Sequence, residues 1–144
     1  MEHPRNIPVR YLGLALVLLA GASMCLFSGW NAYRVNGSLG FPLDDPWIHL
    51  QFAKNVHDYG AFSYFKNEMV TSGSTSPLYT MLCAVGFFCT SNEMMLSYVL
   101  GTVFLLIAAT FLFALIRDIF DDWLFAAGGG ALFLLEPRLQ WIAL

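Results

Sequence analysis

The chain has 144 residues, a formal net charge of −3, 12% charged residues and 58% hydrophobic residues. Soluble domains carry about 25% charged residues, so this chain cannot cover itself with a polar surface. The composition therefore predicts an integral membrane protein of the all-α class, with three to four helical spans. The sequence has no basic stripe, which excludes nucleic acid as a partner.

The first apolar stretch predicts a transmembrane helix at 11–30. It contains no charged residue, and at a rise of 1.5 Å per residue it covers about 30 Å, one hydrocarbon thickness. A cleaved signal peptide is the competing interpretation, because Ala20-Gly21-Ala22 resembles a cleavage site. The apolar run continues as far as Trp30, a typical interfacial anchor, and this favours an uncleaved span.

Charge before the first span predicts its orientation. Arg5 and Arg10 lie in the short polar segment 1–10. The positive-inside rule therefore places 1–10 in the cytoplasm and the following loop, 31–76, on the extracytoplasmic side.

Within this loop the sequence predicts one amphipathic helix, at 46–59. Pro46 suits the first helical position, Asp45 before it can cap the free N–H groups, and Gly60 is a typical stop. A helical projection places Ile48, His49, Phe52, Ala53, Val56 and Tyr59 on one side. This helix either lies along the membrane surface or packs against a partner, and the pattern alone does not separate the two.

The remainder of the loop predicts a possible short hairpin. Small and aromatic side chains alternate from Ala61 to Tyr64 within 61–65; 66–68 form a turn and 69–71 can return as a strand. A small polar segment, 72–76, then leads to Pro77.

Three further apolar segments follow. The segment 77–90 is short for a crossing and predicts a juxtamembrane or membrane helix, with a non-crossing helix preferred. Residues 94–116 form the clearest span, and 123–135 a further one in which Gly128, Gly129 and Gly130 allow close helix approach. The last segment, 136–144, finishes with the apolar run 139–144, which indicates an interrupted chain.

The three cysteines, Cys25, Cys83 and Cys89, all lie in apolar runs without metal-ligand spacing. We interpret them as small buried hydrophobic residues.

The order of motifs after the first span resembles the first extracytoplasmic loop of GT-C type membrane glycosyltransferases. That family includes protein mannosyltransferases, arabinofuranosyltransferases and lipid A sugar transferases, which use polyprenyl-phosphate sugars. The matching residues are Asp44, Asp45, Trp47, Ala53, Lys54 and Asn55, then Gly60, Phe62, Tyr64, Asn67 and Glu68, then Gly73, Thr75, Pro77, Leu78 and Tyr79.

The resemblance implies a fold and an activity. Family members have roughly ten or more spans, so the chain would be the N-terminal part of a longer enzyme. Pro46 and His49 stand where the family more often has a small residue and a Ser or Thr, which leaves the sugar open. The expected partners are membrane lipid, a polyprenyl-phosphate-linked sugar, and a glycan, lipid or protein acceptor.

Sugar transfer from a lipid phosphate needs one base, because the phosphate leaves as a stable anion. Adjacent carboxylates do not form the opposed pair of a glycosidase. With Asp45 as the helix cap, Asp44 remains free, and by family likeness the first acidic residue is the catalytic one. We therefore predict Asp44 as general base and Asp45 as an orienting residue.

The predicted substrate-binding residues are Trp47, His49, Lys54 and Glu68. Lys54 would neutralise the donor phosphate, and Glu68 also suits a turn. His49 would pair with Asp45; one His/Asp pair is a poor metal site, so no metal or other cofactor is predicted.

Two alternatives remain open, namely a non-catalytic binding or assembly subunit and an inactive truncated fragment. A transporter is disfavoured, because 11–30 and 94–116 carry no charge.

Overall fold

The computed structural model describes residues 7–41, 43–66 and 68–139, with side chains from Tyr11 onward. The described residues form five helices and no strand. The helices are α1 (Ile7–Asn36), α2 (Asp45–Tyr59), α3 (Pro77–Gly86), α4 (Glu93–Phe120) and α5 (Trp123–Leu135). The all-α class is thus confirmed. Of the predictions above, Arg5, Asn67 and 140–144 lie outside the described residues.

Two helices are long and apolar enough to cross a membrane. They provide the segments Tyr11–Asn36, with 26 residues, and Glu93–Phe120, with 28. α3 has 10 residues and α5 has 13, short of the about 20 that a hydrocarbon core requires. A total of three to four spans therefore stays a prediction.

The described residues divide into two compact units. The first comprises α1, α5 and residues 100–120 of α4. Its core is a cluster of small and branched side chains: Val17, Cys25, Leu105, Ala109, Phe113, Ala126 and Leu134. Large apolar side chains such as Leu26 and Phe111 remain exposed, as expected for helices whose outer faces meet lipid.

Glycines in this unit permit close contact between helices. A Cβ on Gly129 would overlap Ile116 Cδ1, and one on Gly130 would lie 3.0 Å from Val17 Cγ1. Gly128 has open space, so the predicted close approach involves only two of the three consecutive glycines.

We expect Gly129→Val to destabilise the first unit by about 1–3 kcal/mol, because overpacking displaces Ile116. Gly128→Val is a matched control one residue away, since a Cβ at this position has no neighbouring atom within 4 Å. Thermal unfolding of both variants in detergent micelles measures the difference. Equal midpoints for the two variants would show that this contact is not tight.

The junction between α4 and α5 differs from the predicted one. α4 continues beyond the predicted span 94–116 to Phe120, and Asp121 then adopts a positive φ of 49°. Asp122 caps α5, its Oδ1 accepting hydrogen bonds from the backbone N–H groups of Leu124 at 2.6 Å and Phe125 at 3.4 Å. This cap satisfies free N–H groups of the helix start.

The second unit comprises residues 38–99, in which α2 packs against α3. The buried face of α2 includes the predicted His49, Phe52 and Ala53. It also includes Leu50 and Asn55, whereas the predicted Tyr59 is 48% exposed. The apolar side of α2 is thus covered within the chain by two different neighbours, α3 and the loop that follows Gly60.

The predicted hairpin at 61–71 is not seen in its described residues, 61–66 and 68–71, which contain no strand. Among them, one backbone bond joins the two halves, from Thr71 N to Phe62 O at 3.1 Å. The Asn55 amide donates to the carbonyl oxygens of Ser63 and Tyr64, both at 2.8 Å. These bonds hold the first half of the segment against α2.

The cysteines do not share one environment. Cys25 and Cys83 are buried, as the sequence predicts, but Cys89 is exposed. Its burial was wrongly predicted because α3 ends at Gly86, and Cys89 lies in the turn beyond it.

Candidate functional site

The two adjacent carboxylates lie at the start of α2 and are both exposed. Asp44 occupies the N-cap position, with φ −84° and ψ −24°, and its side chain makes no capping hydrogen bond. Asp45 is already inside the helix, so its predicted role as the cap is wrong. The helix dipole stabilises anions at this position, and the Asp44 carboxylate is not engaged in capping.

His49, one turn after Asp45, is buried in a chain of side-chain hydrogen bonds. Its Nδ1 lies 2.9 Å from Ser74 Oγ, and Ser74 Oγ lies 2.8 Å from Thr80 Oγ1. These hydrogen bonds join α2 to the polar segment before α3 and to the first turns of α3 itself. The sequence did not single out Ser74 or Thr80, because no local pattern pairs residues so far apart.

Burial lowers the pKa of His49 below its ordinary value of 6.5, and the charge of Asp45 opposes this by raising it. The imidazole is therefore neutral at pH 7. Because the pKa of His49 is lowered by folding, the unfolded chain binds the imidazole proton more readily than the folded chain. Above about pH 6.5 this difference in proton binding does not reduce the stability of the fold. Below that pH, stability declines as the pH falls.

Replacing Asp45 with Asn is expected to lower the pKa of His49 further, because the substitution removes the charge that raises it. The direction can be measured from the pH dependence of the His49 ring resonances in NMR spectra. Asp58→Asn, at the other end of α2, serves as the control and is expected to leave that pKa unchanged. A pKa that rises in Asp45→Asn would contradict this assignment of the electrostatics.

Tyr79 extends the contacts of His49 towards α4. The two rings meet edge to face with centroids 5.9 Å apart. The Tyr79 hydroxyl lies 2.6 Å from Ser97 Oγ. Burial raises the pKa of Tyr79 to about 12, so this hydroxyl keeps its proton at neutral pH and holds α3 to the start of α4.

Lys54 forms an ion pair with Glu93, the first residue of α4. Both side chains are partly exposed, at 42% and 25%, and such a pair contributes on the order of 1 kcal/mol or less. From the sequence, the Lys54 ammonium group was expected to be free to bind the donor phosphate. No local sequence pattern relates Lys54 to Glu93, 39 residues later.

Trp47, the next aromatic residue after the acidic pair, is 45% exposed. Phe41 supports it edge to face at 5.2 Å, and Phe41 in turn contacts Tyr98 at 5.8 Å. The Tyr98 hydroxyl donates to Gly40 O at 2.7 Å. These contacts fix one side of the indole and leave part of it open beside Asp44 and Asp45 in the chain.

Glu68 lies apart from these contacts. Its backbone N–H donates to Phe65 O at 3.4 Å, which agrees with a turn residue. Its side chain is exposed, and among the described residues no hydrogen bond or ion pair joins it to the acidic pair. Across the described ranges, no three His, Cys, Asp or Glu side chains are grouped so that they could hold a metal ion.

No family model, no curated protein and no solved structure matches the chain. The function is therefore inferred from the chemistry and geometry of the residues described above.

Proposed function

We propose that the chain is the N-terminal part of a GT-C type membrane glycosyltransferase. It transfers a sugar from a polyprenyl-phosphate donor to an acceptor hydroxyl on the extracytoplasmic side of the cell membrane. Asp44 is the general base that takes the hydroxyl proton, and Asp45 orients the start of α2. The acceptor is a glycan, a lipid or a protein.

The observation that carries this proposal is the exposed Asp44 carboxylate, which no capping bond engages although it occupies the cap position of α2. A base must be free to meet its substrate. The carboxylate also precedes a partly exposed indole, Trp47. Aromatic faces beside carboxylates suit a sugar, whose C–H face packs on the ring while its hydroxyls bind the charged oxygens.

The position of the loop also supports the proposal. The acidic pair lies in the chain between two helices long and apolar enough to cross a membrane, α1 and α4. A polyprenyl-phosphate sugar carries its reactive carbon at the membrane surface, so a base on such a loop is near the donor.

Lys54 remains the candidate for binding the donor phosphate. Because its ammonium group pairs with Glu93, phosphate binding requires an exchange of partners. This exchange is feasible for a pair that is partly open to solvent.

Sugar transfer by Asp44→Asn in the full-length protein tests the proposal, with Asp58→Asn as the matched control. Asp58 is an exposed carboxylate at the other end of the same helix. A binding or assembly subunit would tolerate both substitutions, whereas the proposed transferase tolerates only the control.

A further inference from the structure

The hydrogen-bonded chain of His49, Ser74 and Thr80 is a polar feature inside an otherwise apolar contact between α2 and α3. The three residues are 8%, 7% and 0% exposed, and the apolar Leu50, Phe52 and Cys83 of the same unit are buried as well. A buried polar network is no more stable than apolar packing of the same shape, but it fixes one arrangement when every member is satisfied. Among the described residues, no buried side-chain nitrogen or oxygen lacks a partner.

This chain of bonds acts on the turn that carries the acidic pair. Asp44 O accepts a hydrogen bond from the backbone N–H of Ile48 at 3.2 Å. Asp44 therefore begins the helical turn that ends immediately before His49. The Asp44 side chain makes no capping bond of its own. The position of this turn therefore determines where the Asp44 carboxylate lies. The buried His49 side chain connects the turn to the segment that contains Ser74.

We infer that His49 is a positioning residue for the acidic pair. Its bonds to Ser74, and through Ser74 to Thr80, hold the first turn of α2 in one register with the segment that enters α3. His49 itself touches no substrate in this role. The inference rests on the proposed function, because the group positioned is the Asp44 base.

Four variants test the inference in the full-length protein: His49→Ala, Ser74→Ala, the double variant, and His49→Asn. Asn places an amide group near the position of the histidine Nδ1. The control is Gln51→Ala, because Gln51 also bonds the loop, to Tyr64 O at 3.2 Å, but does not join the His49 chain. The donor is tritium-labelled undecaprenyl-phosphate mannose, glucose or arabinose, whichever the wild-type protein accepts.

A misplaced base lowers the rate of the chemical step, so kcat is expected to fall about 10- to 100-fold in each Ala variant. The donor KM is expected to stay within about twofold, since substrate contacts are unchanged. The kcat of the double variant should be no lower than that of the less active single variant, because both substitutions disrupt the same connected unit. His49→Asn should recover most of the activity, and Gln51→Ala should be near wild type.

Amide hydrogen exchange at 44–49 gives a measurement that is independent of sugar transfer. Faster exchange in Ser74→Ala and His49→Ala, but not in Gln51→Ala, supports the tie between the two segments. Unchanged hydrogen exchange in these variants would overturn the inference. An unchanged kcat in His49→Ala, with transfer abolished in Asp44→Asn, would also overturn the inference but would leave the proposed function intact. Normal transfer by Asp44→Asn instead rejects the proposed function, and the exchange result then still decides whether His49 fixes this turn.

Discussion

Asp44→Asn is expected to lower the rate of sugar transfer about 10²- to 10⁴-fold, the usual contribution of a general base. The substitution keeps the shape of the side chain but removes its negative charge and its capacity to accept a proton. The Asp44 side chain makes no capping hydrogen bond, so its loss should leave α2 folded. Transfer of labelled sugar from a polyprenyl-phosphate donor in washed membranes measures the effect, with protein amounts equalised by immunoblot.

Asp58→Asn provides the control for this prediction because it removes the same charge from the same helix. Asp58 Oδ1 accepts a hydrogen bond from His57 Nδ1 at 2.6 Å, away from the acidic pair in the chain. We expect its transfer rate to remain within about twofold of wild type, as for a surface charge without a role in the reaction. Near-normal transfer by Asp44→Asn would reject Asp44 as the base.

Phe52→Ala is expected to destabilise the second unit by about 3–5 kcal/mol, the cost of removing a fully buried aromatic side chain. Phe52 is 1% exposed, and its ring packs against Phe62 and Tyr64 with centroids 5.1 and 5.9 Å apart. A Cβ on Gly73 would lie 2.9 Å from its Cζ. The truncation therefore leaves a cavity at the centre of the contact between α2 and the loop.

The matched control is Phe65→Ala, the same change in the loop that packs against α2. Phe65 is 59% exposed, so its truncation is expected to cost about 0.5 kcal/mol or less. Pulse proteolysis in urea, with the protein in detergent micelles, compares the free energies of unfolding. Similar losses for the two variants would show that Phe52 is not the main buried anchor of the loop.

Some features of the candidate site followed directly from local chemistry. The Pro46 and Gly60 signals predicted α2 to within one residue of its observed start, and Gly60 adopts the left-handed conformation, with φ 66°, that such a stop uses. The cap was assigned to the wrong carboxylate because the helix begins at Asp45. A difference of one residue at a helix end changes which side chain is in the cap position, and propensity does not resolve it.

The interactions of the site residues were beyond the sequence. His49 was expected beside Asp45, yet its hydrogen-bond partner is Ser74, 25 residues later. Lys54 was expected to neutralise the donor phosphate, yet it pairs with Glu93. The described residues of the predicted hairpin contain no strand, and Asn55 instead bonds the carbonyl oxygens of Ser63 and Tyr64.

The sequence by itself determined the all-α class, the two long apolar helices and the position of the acidic pair between them. Hydropathy, helix length and turn chemistry are properties of neighbouring residues, and a single chain displays them directly. Only the tertiary structure decided which residues surround His49 and Lys54 and which segments cover the apolar face of α2. Those outcomes depend on how α2, the loop and α3 pack, and packing joins residues that no local pattern relates.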